Sequence, residues 1–403
     1  MSDFTVRPIT DAERRPLYDV LQRALHRSPV TDQRWARITG SVRADGKIGA
    51  FAEDLPIGLA SSLPTAMTVP GGASVPMAAV NGVAVRADWT RRGVLTAMMD
   101  AQLREFTERG YTVAGLDASE TAIYGRFGYG VAIRAATIDV KHPAQVGEGA
   151  RVSGTVRILD GDDALVAART VYDRIGYRRT GMIARPDDWW EISYSRSIEV
   201  DGYRLAVHTG PDGDDGFALY RTVPQRTHAE PFLGALVEVE DLIANDAATV
   251  AALWQFLLSI DLVSTVHASG RPVDEEVGVL LTDPRRARTT DVKDQLWLRL
   301  VDVPAALAAR TYSDADPVVI EVHDRMLPAN NGRYRTGPGG AERTGATADL
   351  ELDVDTLAML YLGEWRPALL ALAGRITGAD EKTLARTETL FRTEQNPWCG
   401  TDF

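Results

Sequence analysis

The chain has 403 residues, of which 45% are apolar and 25% charged, and a formal net charge of -12. That length exceeds what one hydrophobic core serves, so two or three domains are predicted. The acidic balance excludes a nucleic-acid sleeve or an anionic-membrane surface, both of which need clustered Lys and Arg, and favours a cationic partner.

A single cysteine, Cys399, leaves neither an intrachain disulfide nor a cysteine-rich metal site and favours a reducing, cytoplasmic setting. The opening "MSDFTVRPIT" has no basic segment followed by an apolar core, and no stretch approaches about 18 consecutive apolar residues, so neither a signal peptide nor a spanning helix is predicted. Only four of the 44 basic residues are lysine, a bias that composition alone does not tie to function.

The first unit, residues 1–145, begins with a strand "FTVRPI", a helix "DAERRPLYDVLQRAL" and short strands around "GKIGAFAEDLPIGLASSLPTAMTVP". The following stretch, "VPMAAVNGVAVRADWTRRGVLTAMMDAQLREFTERGYTVAGLDASETAIYGRFGYGVA", reads as strand, helix, strand, short helix, strand. Leu95, Met98, Met99, Leu103 and Phe106 recur every three or four residues and predict one buried face of a helix starting near Thr90. Gly110 closes it.

"KHPAQVGEGARVSG" has no apolar periodicity and reads as a linker into a second unit, residues 146–290. That unit carries the helix "DDALVAARTVYDRI", strands between Trp189 and Arg221, and the strand-into-helix "GALVEVEDLIANDAATVAALWQFLLSID", which echoes the first unit. A third unit, residues 291–403, reads as α+β: strands in "QLWLRL", "VVIEVHD" and "GRYRTG", a hairpin signal at Asn330, Asn331 and Gly332, and closing helices "WRPALLALAGRI" and "DEKTLARTETLF".

The chemistry concentrates in "VAVRADWTRRGVLTAMM", where a strand ends and a helix begins. The first N–H groups of a helix have no internal partner, and the helix dipole favours negative charge there. Gly93 permits close approach to the backbone, while Arg91 and Arg92 add positive charge, so a pyrophosphate suits the site. On these residues alone, an ordinary helix start with two solvated arginines fits as well.

The segment resembles the acetyl-CoA loop of the GNAT superfamily, and "IYGRFGYG" resembles the aromatic and glycine signature that follows that loop. It departs from the usual Gln/Arg-x-x-Gly-x-Gly/Ala, with Thr90 in the first position and Leu95 in the last. The Arg-Arg-Gly-aliphatic-Leu run, with Val94 as the aliphatic residue, is similar to the enhanced intracellular survival (Eis) family of acetyltransferases. The resemblance implies an α+β chain of two tandem GNAT-like α/β domains followed by a sterol carrier protein-like domain.

It also implies an acetyl-CoA-dependent N-acetyltransferase acting on polycationic amines, such as aminoglycosides or peptide and protein lysines, by direct transfer in a ternary complex, and a homohexamer. Tyr124 is the general acid to which it points, and the C-terminal carboxylate of Phe403 the base. Val83 and Val85 would face the pantetheine arm; Arg91, Arg92, Gly93 and Val94 the phosphates. Ser119 is either an N-cap or a residue that holds the cofactor or Tyr124 in place. Trp35 and Asp402 are candidates for the amine pocket. The second unit has Asn245, Asp246 and Ala247 in place of Arg91, Arg92 and Gly93, which predicts a lost cofactor site there.

The histidines, at 26, 142, 208, 228, 267 and 323, are never paired at metal-ligand spacing, so no metal is expected. The rival readings are an apolar-ligand binding protein with a relic acyltransferase unit and an acyltransferase using a longer acyl-CoA.

Overall fold

The computed structural model describes residues 3–225 and 234–403. A twelve-stranded sheet contains β1 (Thr5–Pro8), β2 (Lys47–Ala52), β3 (Leu55–Thr68), β4 (Ser74–Val85), β5 (Val113–Leu116), β6 (Gly130–Lys141), β7 (Thr155–Leu159), β8 (Arg204–Gly210), β9 (Gly213–Pro224), β10 (Ala235–Ala244), β11 (Val263–Pro272) and β12 (Ala287–Leu300). Their spatial order is β1-β2-β3-β4-β5-β12-β6-β11-β10-β9-β8-β7. A second sheet, ordered β15-β14-β13-β16-β17, contains β13 (Val318–His323), β14 (Gly332–Gly337), β15 (Gly340–Arg343), β16 (Leu350–Asp353) and β17 (Ile376–Thr377).

The early helices are α1 (Arg14–Ala24), α2 (Asp32–Ile38), α3 (Val94–Glu108), α4 (Thr121–Tyr124) and α5 (Gly161–Ile175). As the spacing predicts, α3 buries Met98, Met99, Leu103 and Phe106 on one face, but it begins at Val94 rather than Thr90. Residues 90–93 instead form the turn that enters the helix. Gly110 lies beyond the helix end at φ 72°, a backbone angle that costs glycine little.

The echo between the units is structural. In the first, β3 and β4 are antiparallel, β4 and β5 are parallel, and α3 makes the crossover. In the second, β9 and β10 are antiparallel, β10 and β11 are parallel, and the helix Ala247–Leu258 crosses. Each central strand also carries one bulged residue. Asn81 is unpaired between Val80 and Gly82, and Glu240 between Val239 and Asp241. A bulge bends a strand and increases its twist.

One strand departs from expectation. The segment "QLWLRL", read as the start of the third unit, belongs to β12, which sits inside the large sheet between β5 and β6. The third unit's own sheet therefore starts at β13. The alternative was invisible in sequence because a strand buried on both faces reads alike in any sheet. The expected hairpin joins β13 to β14 through a turn at Pro328–Asn330.

The third unit is welded to the first. Met77, Val113 and Leu296 share one core with Leu307, Ile320, Leu350 and Leu357. At that boundary Arg299 and Asp324, both within 1% of full burial, meet at 2.8 and 2.7 Å. Asp324 also accepts from the Met326 and Leu327 amides and from Asn330 Nδ2, so its charge is well satisfied. The glycines of "GRFGYG" fit this weld. A Cβ on Gly128, at φ 83°, would lie 2.9 Å from the Arg299 guanidinium, and one on Gly130 would lie 2.0 Å from the Asp355 carbonyl oxygen.

Candidate active site

Between β4 and α3, residues 86–93 form an eight-residue loop. Arg86 clamps Asp88 at 2.8 and 2.7 Å, and Arg92 stacks over Trp89 at 4.8 Å. Arg91 and Gly93 both have positive φ, 60° and 84°, which turns the chain into the helix. Gly93 is the N-cap of α3 and no side chain caps it; nothing lies within 4 Å of the position its Cβ would take. The first amides of α3 are therefore open to a ligand, with exposed Arg91 and Arg92 beside them. Val94, the first helical residue, is buried and anchors the turn.

Beside this loop β4 has a free edge. Its pairing with β5 ends at Val80 opposite Leu116, and after the bulge Val83 and Val85 pair only with Ala60 and Gly58 of β3. The backbone of residues 81–85 is thus unpartnered by strand on the β5 side, where an extended amide-bearing chain would find donors and acceptors. The open helix start and the free edge together fit the pyrophosphate and pantetheine of an acyl-CoA.

Tyr124 ends α4. Its ring is buried and meets Tyr129 edge-on at 6.1 Å. Burial foremost, then the charges of Glu120 and Asp117, pushes its phenol above the ordinary value, so it remains protonated, as a proton donor must. Asp117 immediately follows β5. Loss of solvation, then the charge of Asp402, raises its carboxyl to about 6.

Asp117 and Asp402 meet in a cleft of about 150 Å³ that also exposes Glu240, Asp241, Lys293 and Asp294. Both Asp117 and Asp402 are exposed, on a concave wall whose protein atoms nevertheless limit their solvation. Burial also raises Glu240, with help from Asp402 and Asp241. Asp241 is committed to Arg185 at 2.7 Å, and Arg271 to Glu275 at 2.8 Å. The cleft is left with more acids than it has cations.

The C-terminal segment is fastened to the second unit. Arg185, fully buried, donates to Thr401 Oγ1 at 3.0 Å and to the Gly400 carbonyl at 2.6 Å while holding Asp241. Its guanidinium packs over Tyr172 at 4.2 Å and Trp189 at 4.6 Å. Trp189 Nε1 donates to the Asp402 carbonyl at 2.6 Å, and Trp398 Nε1 to the Gly270 carbonyl at 2.7 Å. Cys399 is buried, its thiol pushed up to about 12 chiefly by desolvation, so it is no nucleophile. The half-buried Phe403 ring packs against the cores of both the second and third units.

Of the residues singled out in the sequence, Val83, Val85, Arg91, Arg92, Gly93 and Val94 gather at the loop, and Asp402 lines the cleft. Trp35 does not line it; its ring meets Tyr18 at 5.8 Å, and its neighbour Arg34 reaches the Ile192 carbonyl of the second unit at 3.2 Å. Ser119 is exposed and is not the N-cap of α4, a position that Glu120 holds. Sequence reasoning missed Asp117, Glu240 and Arg185. Asp117 carried one signal, an acid directly after a buried strand.

At the second unit's crossover helix, only Asn245 and Asp246 precede Ala247. Asp246 caps the helix itself, accepting from the Thr249 amide at 2.9 Å, and that bond foremost holds its carboxyl below the usual range. A carboxylate of the protein occupies the place that a phosphate would take. Among the described residues no group of three metal-binding side chains is assembled; His228 lies outside them. No helix among them is long and apolar enough to cross a membrane.

Family models of the acetyltransferase (GNAT) domain match residues 5–132 and 181–300, and that of the sterol carrier protein domain matches residues 303–400. An uncharacterized N-acetyltransferase of Streptomyces avermitilis is 36% identical over 98% of both chains. N-acetyltransferase Eis of Mycobacterium tuberculosis is 34% identical over 84% of this chain and 83% of its own. The crystal structure of Eis1 from Mycobacterium abscessus superimposes with a TM-score of 0.89 at 35% identity, covering 99% of this chain and all of that one. The likeness spans all three domains, and so the chain belongs to the Eis family of N-acetyltransferases, enzymes of GNAT fold that use an acyl-CoA.

Proposed function

We propose that the protein transfers an acetyl group from acetyl-CoA directly to amines bearing several positive charges, in a ternary complex. Aminoglycosides, polyamines and lysine-rich peptides are the substrate classes. The observation that carries this reading is the acid-rich cleft in which Asp117, beside Tyr124, meets Asp402 of the C-terminal segment.

Arg91, Arg92, Gly93 and Val94 hold the phosphates at the start of α3, and the edge at Val83 and Val85 holds the pantetheine arm. Ser119 borders the acyl end. Asp117 and Asp402 attract the ammonium, and the Phe403 α-carboxylate accepts its proton directly or through water. The amine nitrogen then attacks the thioester carbonyl, Tyr124 gives its proton to the departing sulfur, and the second N–H proton passes through water to the Tyr124 oxygen. The mechanism places the reaction within the first unit, about residues 1–145, completed by the end of the third. In keeping with the family resemblance, the assembly is a cytoplasmic hexamer, which light scattering on the purified protein tests.

The deciding experiment mixes the protein with acetyl-CoA and a panel of amines and follows free thiol. Rapid release with polycations and slow release with monoamines is expected. Acetyl-CoA binding without release for any amine overturns the reading.

A further inference from the structure

The cleft holds one cation that its own acids do not neutralise. Arg185 is bound to Asp241 and Arg271 to Glu275, whereas the Lys293 ammonium makes no hydrogen bond or ion pair within 4.0 Å among the described residues. Lys293 lines the same cleft as Asp117 and Asp402, and its charge offsets part of the rise that burial imposes on both carboxyls.

Its position follows from strand register. The pairing of β12 with β5 starts at Trp297, opposite Leu116, the last residue of β5. Lys293, four residues earlier on β12 and paired with Ala135 of β6, lies beyond the end of β5. There the chain has turned away into Asp117, and on the far side β4 has already parted from β5. Lys293 thus rises beside the opening to which the proposed pantetheine path leads.

The other three lysines have no such place. Lys47 is 8% exposed within β2, Lys141 donates to Thr265 Oγ1 at 3.0 Å, and Lys382 sits on the helix Glu381–Phe391 away from the cleft.

We propose that Lys293 is an intramolecular acetyl acceptor, so that the enzyme modifies its own amine-binding cleft. The inference rests on the acetyl-CoA reading above. The Lys293 ammonium loses one proton, through water, to the Asp117 carboxylate. Its Nζ then forms an amide bond to the acetyl carbon, the C–S bond breaks, Tyr124 protonates the sulfur to release CoA as a thiol, and the second Nζ proton passes through water to the Tyr124 oxygen. The product amide is neutral. The cleft loses its one unpaired cation among the described lining residues, and its acids become free for an incoming amine.

The test incubates the full chain with acetyl-CoA and no added amine, and follows acetyl occupancy of each of the four lysines by peptide mass mapping. Lys293 should fill first, at a rate independent of protein concentration and about 10²-fold or more slower in Tyr124→Phe. Lys293→Arg should lose that label while the parent still releases thiol with added polyamines. An unmodified Lys293 beside rapid thiol release overturns this inference and leaves the acetyltransferase reading standing. Filling no faster than at Lys382, and unchanged by Tyr124→Phe, identifies chemical acetylation and also overturns it. Absence of both Lys293 labelling and thiol release removes the two readings together.

Discussion

The two GNAT units share strand order, crossover helix and even the bulge in the central strand, yet they part at the entrance to that helix. In the first, seven residues lead to an N-cap glycine with no capping side chain, and the amides stay open. In the second, one residue, Asn245, leads to Asp246, which satisfies the terminus from within. A helix start can thus serve an external anion or an internal one, and a single residue at the cap decides which. The bulges diverge likewise. Asn81 accepts a hydrogen bond from Ser61 at 2.8 Å, whereas Glu240 presents its carboxyl to the cleft. The second unit has exchanged a ligand site for a socket that grips the C-terminal segment through Arg185 and Trp189.

The largest test of this division is Tyr124→Phe, which should lower turnover about 10²- to 10⁴-fold with acetyl-CoA affinity retained. Activity within threefold of the parent would remove the phenol from the mechanism. Next in size, one residue appended after Phe403 should reduce turnover about tenfold or more, the scale of a misplaced catalytic group, while leaving acetyl-CoA binding alone. Equal turnover would make the segment purely structural.

Transplanting the second unit's cap is a sharper probe. Gly93→Asp should weaken acetyl-CoA binding about tenfold beyond Gly93→Asn, since both side chains meet the same positive φ and only one repels phosphate. Calorimetric titration that finds the two variants equal would detach charge from the effect.

A smaller effect concerns pH. Because the Asp117 carboxyl is raised to about 6, it is charged above that pH and loses its charge as pH falls through it. The KM for amines should therefore rise severalfold between pH 7 and 5, and Asp117→Asn should flatten that limb of the profile. The smallest effect closes the comparison. Asp246→Ala should cost about 1 kcal/mol of stability, read by denaturant unfolding, and leave acetyl-CoA affinity unchanged.

What could be read in the sequence was local. The loop with Arg91, Arg92 and Gly93, the periodic face of α3, Tyr124 in its glycine-rich setting and the substitution of Asp246 all depend on dihedral preferences and caps a few residues apart. The strand echo between the units was legible for the same reason. Where residues met across the chain, only the family resemblance drew the C-terminal segment, with Asp402, toward the site. Trp35, aromatic and close to the first helix, looked fit for a pocket and lies outside it, while Asp117 was passed over because nothing in its neighbourhood revealed that Asp402 would face it.

By itself, then, the sequence determined the elements, the open helix start and the family, because these are set by short-range sterics, hydrogen bonding and apolar period. Only the tertiary structure decided that β12 enters the sheet between β5 and β6, that Arg185 holds the end of the chain, and that acids from all three units share one cleft. Those outcomes depend on the joint burial of surfaces contributed by residues hundreds of positions apart. Every candidate pairing of such surfaces offers much the same apolar area, so no local pattern ranks them.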